Sequence, residues 1–83
     1  MSNKVKEAIE FGREHFKGMP TLCGILNVSS AYLYRCVNEG EMSLRCALKF
    51  ELITDGKYQW RDLAQSEANN IDSVMDRATN LNH

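Results

Sequence analysis

Side chains that form directed hydrogen bonds are concentrated in one short stretch near the middle of the chain. The segment SSAYLYR, from Ser29 to Arg35, contains two serines, two tyrosines and one arginine. An arginine guanidinium offers two parallel N–H groups to a carboxylate, a phosphate or the edge of a guanine base. Hydroxyl groups of serine and tyrosine both donate and accept hydrogen bonds. The stretch is therefore suited to binding a polar partner.

Two short helices separated by a tight turn are predicted around this stretch. Pro20 suits the first turn of a helix, because its missing N–H has no partner there. Asn27 favours a left-handed helix end. Ser29 or Ser30 can cap the next helix, which is predicted to run through 31–37.

The spacing of small and apolar residues across the two helices is typical of a helix-turn-helix. Cys23 is the small residue at which the helices can touch, and Val28 fills the elbow between them. Leu33 and Cys36 hold the second helix against the core, so its polar residues face outward. In a helix-turn-helix the second helix lies in the major groove of DNA. The stretch therefore predicts a DNA-reading helix.

The predicted DNA contacts fall into two groups. Base contacts are assigned to Ser30, Ala31, Tyr34 and Arg35. Phosphate contacts are assigned to Thr21, Ser29, Tyr32, Asn38, Ser43 and Arg45. Two alternatives stay open at this point. Arg35 can pair with Glu39 one helical turn away, and the two tyrosines can be ordinary packing or surface aromatics.

The remaining apolar periodicity predicts an all-α protein, a compact bundle of four or five helices within a single domain over residues 1–64. A first helix is expected over 2–16, capped by Ser2 or Asn3. Another is expected over 44–54, capped by Ser43, with Leu48 facing inward. A short apolar piece from Tyr58 to Leu63 closes the core.

Residues 65–83 have a different composition, rich in Asn, Asp and Ser, which weakens a helix. Apolar residues nevertheless recur at steps of three and four, at Ile71, Val74, Ala78 and Leu81. This pattern predicts a short helix that packs against a second copy of the chain, giving a homodimer. A frayed polar tail is the alternative.

The overall composition limits the classes of function. The net charge is −1, with nine basic and eight acidic residues over 1–63, so charge alone neither supports nor excludes DNA. Cys23 and Cys36 are expected in the core and Cys46 partly exposed, with no metal-binding spacing and no cofactor. No paired carboxylates, nucleophile–base pair or phosphate loop indicates an enzyme. No membrane span or signal sequence is evident, so a cytoplasmic protein is expected.

Residues 5–64 resemble a family of known regulators. The segments TLCGILNVSSAYLYRCVNEG and SLRCALKFELITDGKYQWRDL are similar to the Cro-type repressors of temperate phages and to the related YdaS-like, antitoxin-type regulators. The matching positions are Leu22, Leu26, Val28, Ser29, Leu33, Val37, Asn38, Ala47, Glu51, Thr54, Gly56 and Leu63. The sequence departs from the family pattern in four places. Asn27 replaces a turn glycine, Cys23 replaces another small residue, Cys36 replaces a tryptophan, and the closing Leu-Arg-Pro-Asp becomes Leu-Ala-Gln-Ser over 63–66.

The resemblance implies a lambda-repressor-like fold and a sequence-specific transcriptional regulator of a phage or prophage switch. Such a protein binds double-stranded operator DNA as a homodimer. An alternative function is an antitoxin or antirepressor adaptor that binds a partner protein encoded in the same operon. The acidic residues of 64–83 favour this alternative.

Overall fold

The computed structural model describes the backbone of residues 3–81 and the side chains of residues 3–79. Its helices are α1 (Lys4–His15), α2 (Met19–Leu26), α3 (Ser30–Glu39), α4 (Leu44–Ile53), α5 (Trp60–Leu63) and α6 (Gln65–Leu81). Residues 3–81 contain no strand, so the all-α prediction is confirmed. Five helices lie within the described part of residues 1–64, in agreement with the four or five expected there, and the segment after Ala64 adds one continuous helix.

Local side chains fix where the helices begin. The Asn3 side chain accepts a hydrogen bond from the Lys6 N–H at 3.0 Å, so Asn3 caps α1. Ser2, the other predicted cap, lies outside the described residues. Ser29 Oγ accepts one from the N–H of Tyr32 at 3.1 Å. Ser43 Oγ does the same for Cys46 at 3.3 Å. Each bond satisfies a backbone donor that has no partner within its own helix.

The core lies where α1 to α5 converge. Its largest fully buried side chains are Phe50, Leu22, Leu26, Leu33, Leu63 and Val5. Gly12 lets α1 and α2 approach closely, because a Cβ atom there would lie 3.0 Å from a methyl group of Leu22. The half-buried Trp60 and Tyr58 pack against the outside of this core.

Three burial predictions are wrong. Cys46 is 2% exposed and belongs to the core, whereas Leu48 is 41% exposed. The buried face of α4 contains Cys46, Ala47 and Phe50, and the helical repeat turns Leu48 almost directly away from Phe50. Cys23 is half-buried rather than fully buried, because it lies at the edge of the contact between α2 and α3.

Helix α6 is attached to the bundle by its first two turns. Ala64 and Ala68 are buried, and the Ser66 N–H donates a hydrogen bond to Glu41 Oε1 at 2.7 Å. Arg61 and Asp72 form an ion pair at 3.2 Å. The segment is therefore helical rather than frayed, and it extends for 17 residues.

The far half of α6 projects from the bundle, and the molecule measures 52 × 24 × 21 Å. Among the helices that the structure describes, none has the length and hydropathy needed to cross a membrane.

Candidate nucleic-acid interface

Helices α2 and α3 are joined by the three residues Asn27, Val28 and Ser29. Asn27 adopts the left-handed conformation, with φ 58° and ψ 48°. The N–H of Val28 donates back to the carbonyl of Cys23 at 3.1 Å, which closes the end of α2. The Val28 side chain packs half-buried against the core. The predicted roles of Asn27 and Val28 in this turn are thus confirmed.

Helix α3 divides cleanly into a buried side and an outward side. Leu33 and Cys36 are buried at 0% and 2% exposure. The four residues assigned to base contacts are all exposed, and they are Ser30, Ala31, Tyr34 and Arg35. Their spacing places them together along one side of α3. The outward surface is continuous and has an aromatic ring and a guanidinium group at its centre.

Arg35 takes part in two weak contacts on this surface. Its Nε lies 4.0 Å from Glu39 Oε1, and both side chains are more than 60% exposed. Its guanidinium carbon lies 5.4 Å from the centre of the Tyr32 ring. Exposed pairs of this kind contribute little free energy. The alternative pairing with Glu39 is therefore present, and it leaves the guanidinium accessible.

Three of the residues assigned to phosphate contacts have structural roles. The Tyr32 hydroxyl accepts a hydrogen bond from the Ser43 N–H at 2.9 Å. The hydroxyls of Ser29 and Ser43 cap α3 and α4. Burial raises the pKa of Tyr32 above its usual value. These groups fix the position of α3 relative to α4.

The other three residues in the phosphate group are exposed and lie at helix ends. Thr21 is in the first turn of α2, Asn38 in the last turn of α3, and Arg45 in the first turn of α4. They surround the outward side of α3 without contacting one another through any hydrogen bond in the described part of the chain. Arg45 is the one cation of the predicted phosphate group.

A shallow groove, here called the α1 flank, lies along the side of α3 that faces α1. It has a volume of about 190 Å³. Its lining residues are Lys6, Ile9, Glu10, Arg13, Met19, Tyr34 and Val37. Two cations and one carboxylate thus border Tyr34.

A second depression, here called the α6 flank, lies along the opposite side of α3. It has a volume of about 240 Å³. Its lining residues are Tyr32, Arg35, Cys36, Glu39, Glu41, Met42, Ser43 and Glu67. Three carboxylates and one cation make this side acidic. The two sides of the candidate recognition helix therefore carry opposite charge.

Lys6 and Arg13 were absent from the residues predicted to bind DNA. They lie seven residues apart on one face of α1, with Ile9 and Glu10 between them. This spacing can be read from the sequence. The sequence does not show that this face packs beside Tyr34, because that contact depends on how α1 crosses α3.

The predicted dimer stripe lies on the projecting half of α6. Val74 is 63% exposed, as is Met75, which the prediction left out. Ala78 is also exposed, whereas Ile71, in the second turn of α6, is half-buried. The side chain of Leu81 lies outside the described side chains. An apolar surface is therefore present on α6, and it starts where the bundle ends.

The described residues contain no group of three His, Cys, Asp or Glu side chains placed to hold a metal ion. The cysteines Cys23, Cys36 and Cys46 are all free thiols. No family model, curated protein or solved structure matches this sequence.

Proposed function

We propose that this protein is a sequence-specific DNA-binding transcriptional regulator that places α3 in the major groove. The observation that carries this proposal is the outward side of α3, which is polar and continuous and follows a three-residue turn. A major groove admits one α-helix and presents a distinct pattern of donors and acceptors for each base pair. Arg35 would contact guanine, and the Ala31 methyl group would contact a thymine methyl group.

The two caps of α3 and α4 support the same arrangement. Ser29 fixes the start of α3, and the Tyr32 hydroxyl ties α3 to the start of α4. A recognition helix whose first turn is fixed in this way keeps its side chains in register with the bases, which reduces the entropy lost on binding. Such a protein acts as a repressor of a phage or prophage switch in the cytoplasm, as the resemblance implies.

A homodimer is part of this proposal. The exposed Val74, Met75 and Ala78 on α6 offer a contact for the same surface of a second copy. Two recognition helices would then bind half-sites about one turn of DNA apart. Sedimentation of the full chain and of a chain ending at Ser73 tests this point, and we expect only the full chain to form a dimer.

The proposal is tested by selecting binding sites from random duplexes and measuring affinity at defined salt. We expect Arg35→Ala to cost about 1–3 kcal/mol on the selected site and to relax specificity at one position. Arg35→Lys keeps the charge but loses the bidentate geometry. We therefore expect it to keep the salt dependence and lose the specificity.

Lys57→Ala is the matched control, because it also removes one positive charge. Lys57 lies away from the outward side of α3, with its Nζ 4.2 Å from the centre of the Phe11 ring on the opposite side of α1. Unchanged affinity and specificity in Arg35→Ala would refute the assignment of α3. Failure of the native chain to enrich any duplex would refute DNA binding itself.

The second candidate function is an adaptor that binds a partner protein, as an antitoxin or antirepressor does. The projecting apolar stripe of α6 favours it, and so do the three carboxylates of the α6 flank. A stable complex with a protein encoded beside this one, together with DNA binding that does not depend on salt, would support the adaptor over the regulator.

A further inference from the structure

We propose that the α1 flank is a seat for the sugar–phosphate backbone of one DNA strand, with Lys6 and Arg13 as its phosphate ligands. This inference rests on the proposed DNA-binding function. It adds a surface on α1 to an interface that the sequence placed only on α2, α3 and α4. The groove lies directly beside Tyr34, at the centre of the outward side of α3.

The lining of the groove matches the chemistry of a DNA strand. Its buried and half-buried lining residues, which form an apolar floor, are Ile9, Met19 and Val37, and its exposed lining residues, which form the rim, are Lys6, Glu10, Arg13 and Tyr34. A DNA backbone alternates an apolar sugar with a charged phosphate, and both are regular targets of protein contacts. The apolar floor suits the deoxyribose, and the cations at the rim suit the phosphates.

The spacing of the two cations suits more than one phosphate. Lys6 and Arg13 are two helical turns apart, which is about 10 Å along α1. Phosphates of one strand recur every 3.4 Å or so of duplex axis. The two side chains can therefore contact different phosphates of the same strand.

The charge of the α6 flank also favours a DNA strand that lies along α1. The α6 flank carries Glu39, Glu41 and Glu67 against one arginine, so it repels a phosphate chain. Of the two sides of α3, only the α1 flank has more cations than carboxylates in the described structure. The strand closest to the protein therefore lies along α1.

The α2 end of the groove adjoins another depression. That depression has a volume of about 380 Å³, and its lining includes Met19, Ser29, Ser30 and Tyr34. Met19 and Tyr34 border both spaces. A strand leaving the α1 flank thus passes the start of α3 and reaches the predicted phosphate contact at Ser29.

The test compares salt dependence of binding between variants of the full chain. The probe is a duplex from the site selection, with a scrambled duplex of the same length beside it. The slope of log K against log salt is negative, and each lost phosphate contact reduces its magnitude by about 0.9. We expect the double variant Lys6→Gln/Arg13→Gln to reduce that magnitude by about 1.8 and to weaken binding near 0.1 M salt by several tens of fold.

Glu10→Gln is expected to change DNA affinity in the opposite direction. Its carboxylate lies in the same groove as the two cations, so removing its charge should strengthen binding about two- to five-fold. Lys57→Gln is the control for a simple loss of net charge, and we expect its slope to equal that of the native chain. All four residues have exposed side chains, and thermal melts will show that the variants fold.

The outcomes separate this inference from the function on which it rests. A native chain that binds the selected duplex, with an unchanged slope in the double variant, refutes the α1 seat and leaves the regulator standing. A loss of affinity in Lys57→Gln that is half of the loss in the double variant, or more, also refutes it, because the loss per charge removed is then one of net charge. A native chain that binds no duplex refutes both proposals.

Discussion

The two sides of α3 differ in construction as well as in charge. On the α6 flank, the hydroxyl of Tyr32 bonds to the backbone of Ser43, and Met42 is 3% exposed. On the α1 flank, Met19 is half-buried and Tyr34 is 56% exposed.

Each side leaves a depression and each helps to hold α3, because the Asn3 side chain donates a hydrogen bond to the Val37 carbonyl at 2.9 Å beside the α1 flank. The sides differ in that the α6 flank is acidic and contains a buried methionine, whereas the α1 flank is basic and exposes its tyrosine. Binding of a DNA strand is therefore expected on the α1 flank, and the Tyr32 bond on the α6 flank is expected to serve stability.

The largest expected effect on stability comes from replacing a methionine by alanine on each side of α3. Met42→Ala should cost about 2–5 kcal/mol of unfolding free energy, since Met42 is buried and truncating its side chain leaves a cavity. Met19→Ala should cost about 1 kcal/mol, because a half-buried side chain loses less area. Urea denaturation measures the unfolding free energy of both variants, and equal losses would contradict the difference in burial between the two methionines.

A buried thiol near the α6 flank gives the next largest effect. Burial raises the pKa of Cys46 from 9.0 to about 11. The thiol is protonated in the folded state between these values and ionised in the unfolded chain. Its stabilising contribution is complete below pH 9 and is lost as the pH rises towards 11, by roughly 2 kcal/mol. Cys46→Ala should flatten this part of the stability curve, and an equal decline in both proteins would exclude the thiol as the cause.

The two tyrosines of α3 form a matched pair with a smaller effect. Tyr32→Phe removes the acceptor of the Ser43 N–H, so we expect a loss of about 1 kcal/mol of stability. Tyr34→Phe removes an exposed hydroxyl and should change stability by less than about 0.5 kcal/mol. In DNA binding the order should reverse, with the larger loss at Tyr34. Thermal melts and affinity measurements on the same two variants check both halves of this prediction.

The smallest expected effect on stability concerns the carboxylate beside Arg35. Glu39→Gln breaks an exposed pair at 4.0 Å, which should change the unfolding free energy by less than about 0.5 kcal/mol. It also removes one negative charge from the α6 flank, so DNA affinity should rise a few-fold at low salt and lose that gain at high salt. A fall in affinity would mean that Glu39 positions Arg35 for binding.

Much of the bundle could be predicted from local signals. Asn27, Ser29 and Ser43 act within four residues of their own position, so the end of α2 and the starts of α3 and α4 are visible in the sequence. Leu33 and Cys36 are separated by one helical turn, and their burial follows from periodicity alone.

The incorrect and missing predictions concern contacts between distant segments. Leu48 is exposed because the elements that pack on α4 cover the side with Cys46, Ala47 and Phe50 rather than the side on which Leu48 lies. Tyr32 reaches Ser43 across the turn that follows α3, so its hydroxyl has a structural partner that no local rule indicates. Lys6 and Arg13 join the candidate interface only through the packing of α1 beside Tyr34.

The attachment of α6 has a mechanical consequence. This helix is about 25 Å long, and only its first two turns are fastened to the bundle. One of the fastenings, the bond from Ser66 to Glu41, reaches the chain just after Gly40 ends α3. A force on the far end of α6 therefore acts on its attachment to the bundle, which lies beside the end of α3. The segment 40–43 is where movement of α6 would be transmitted to the helix that faces outward.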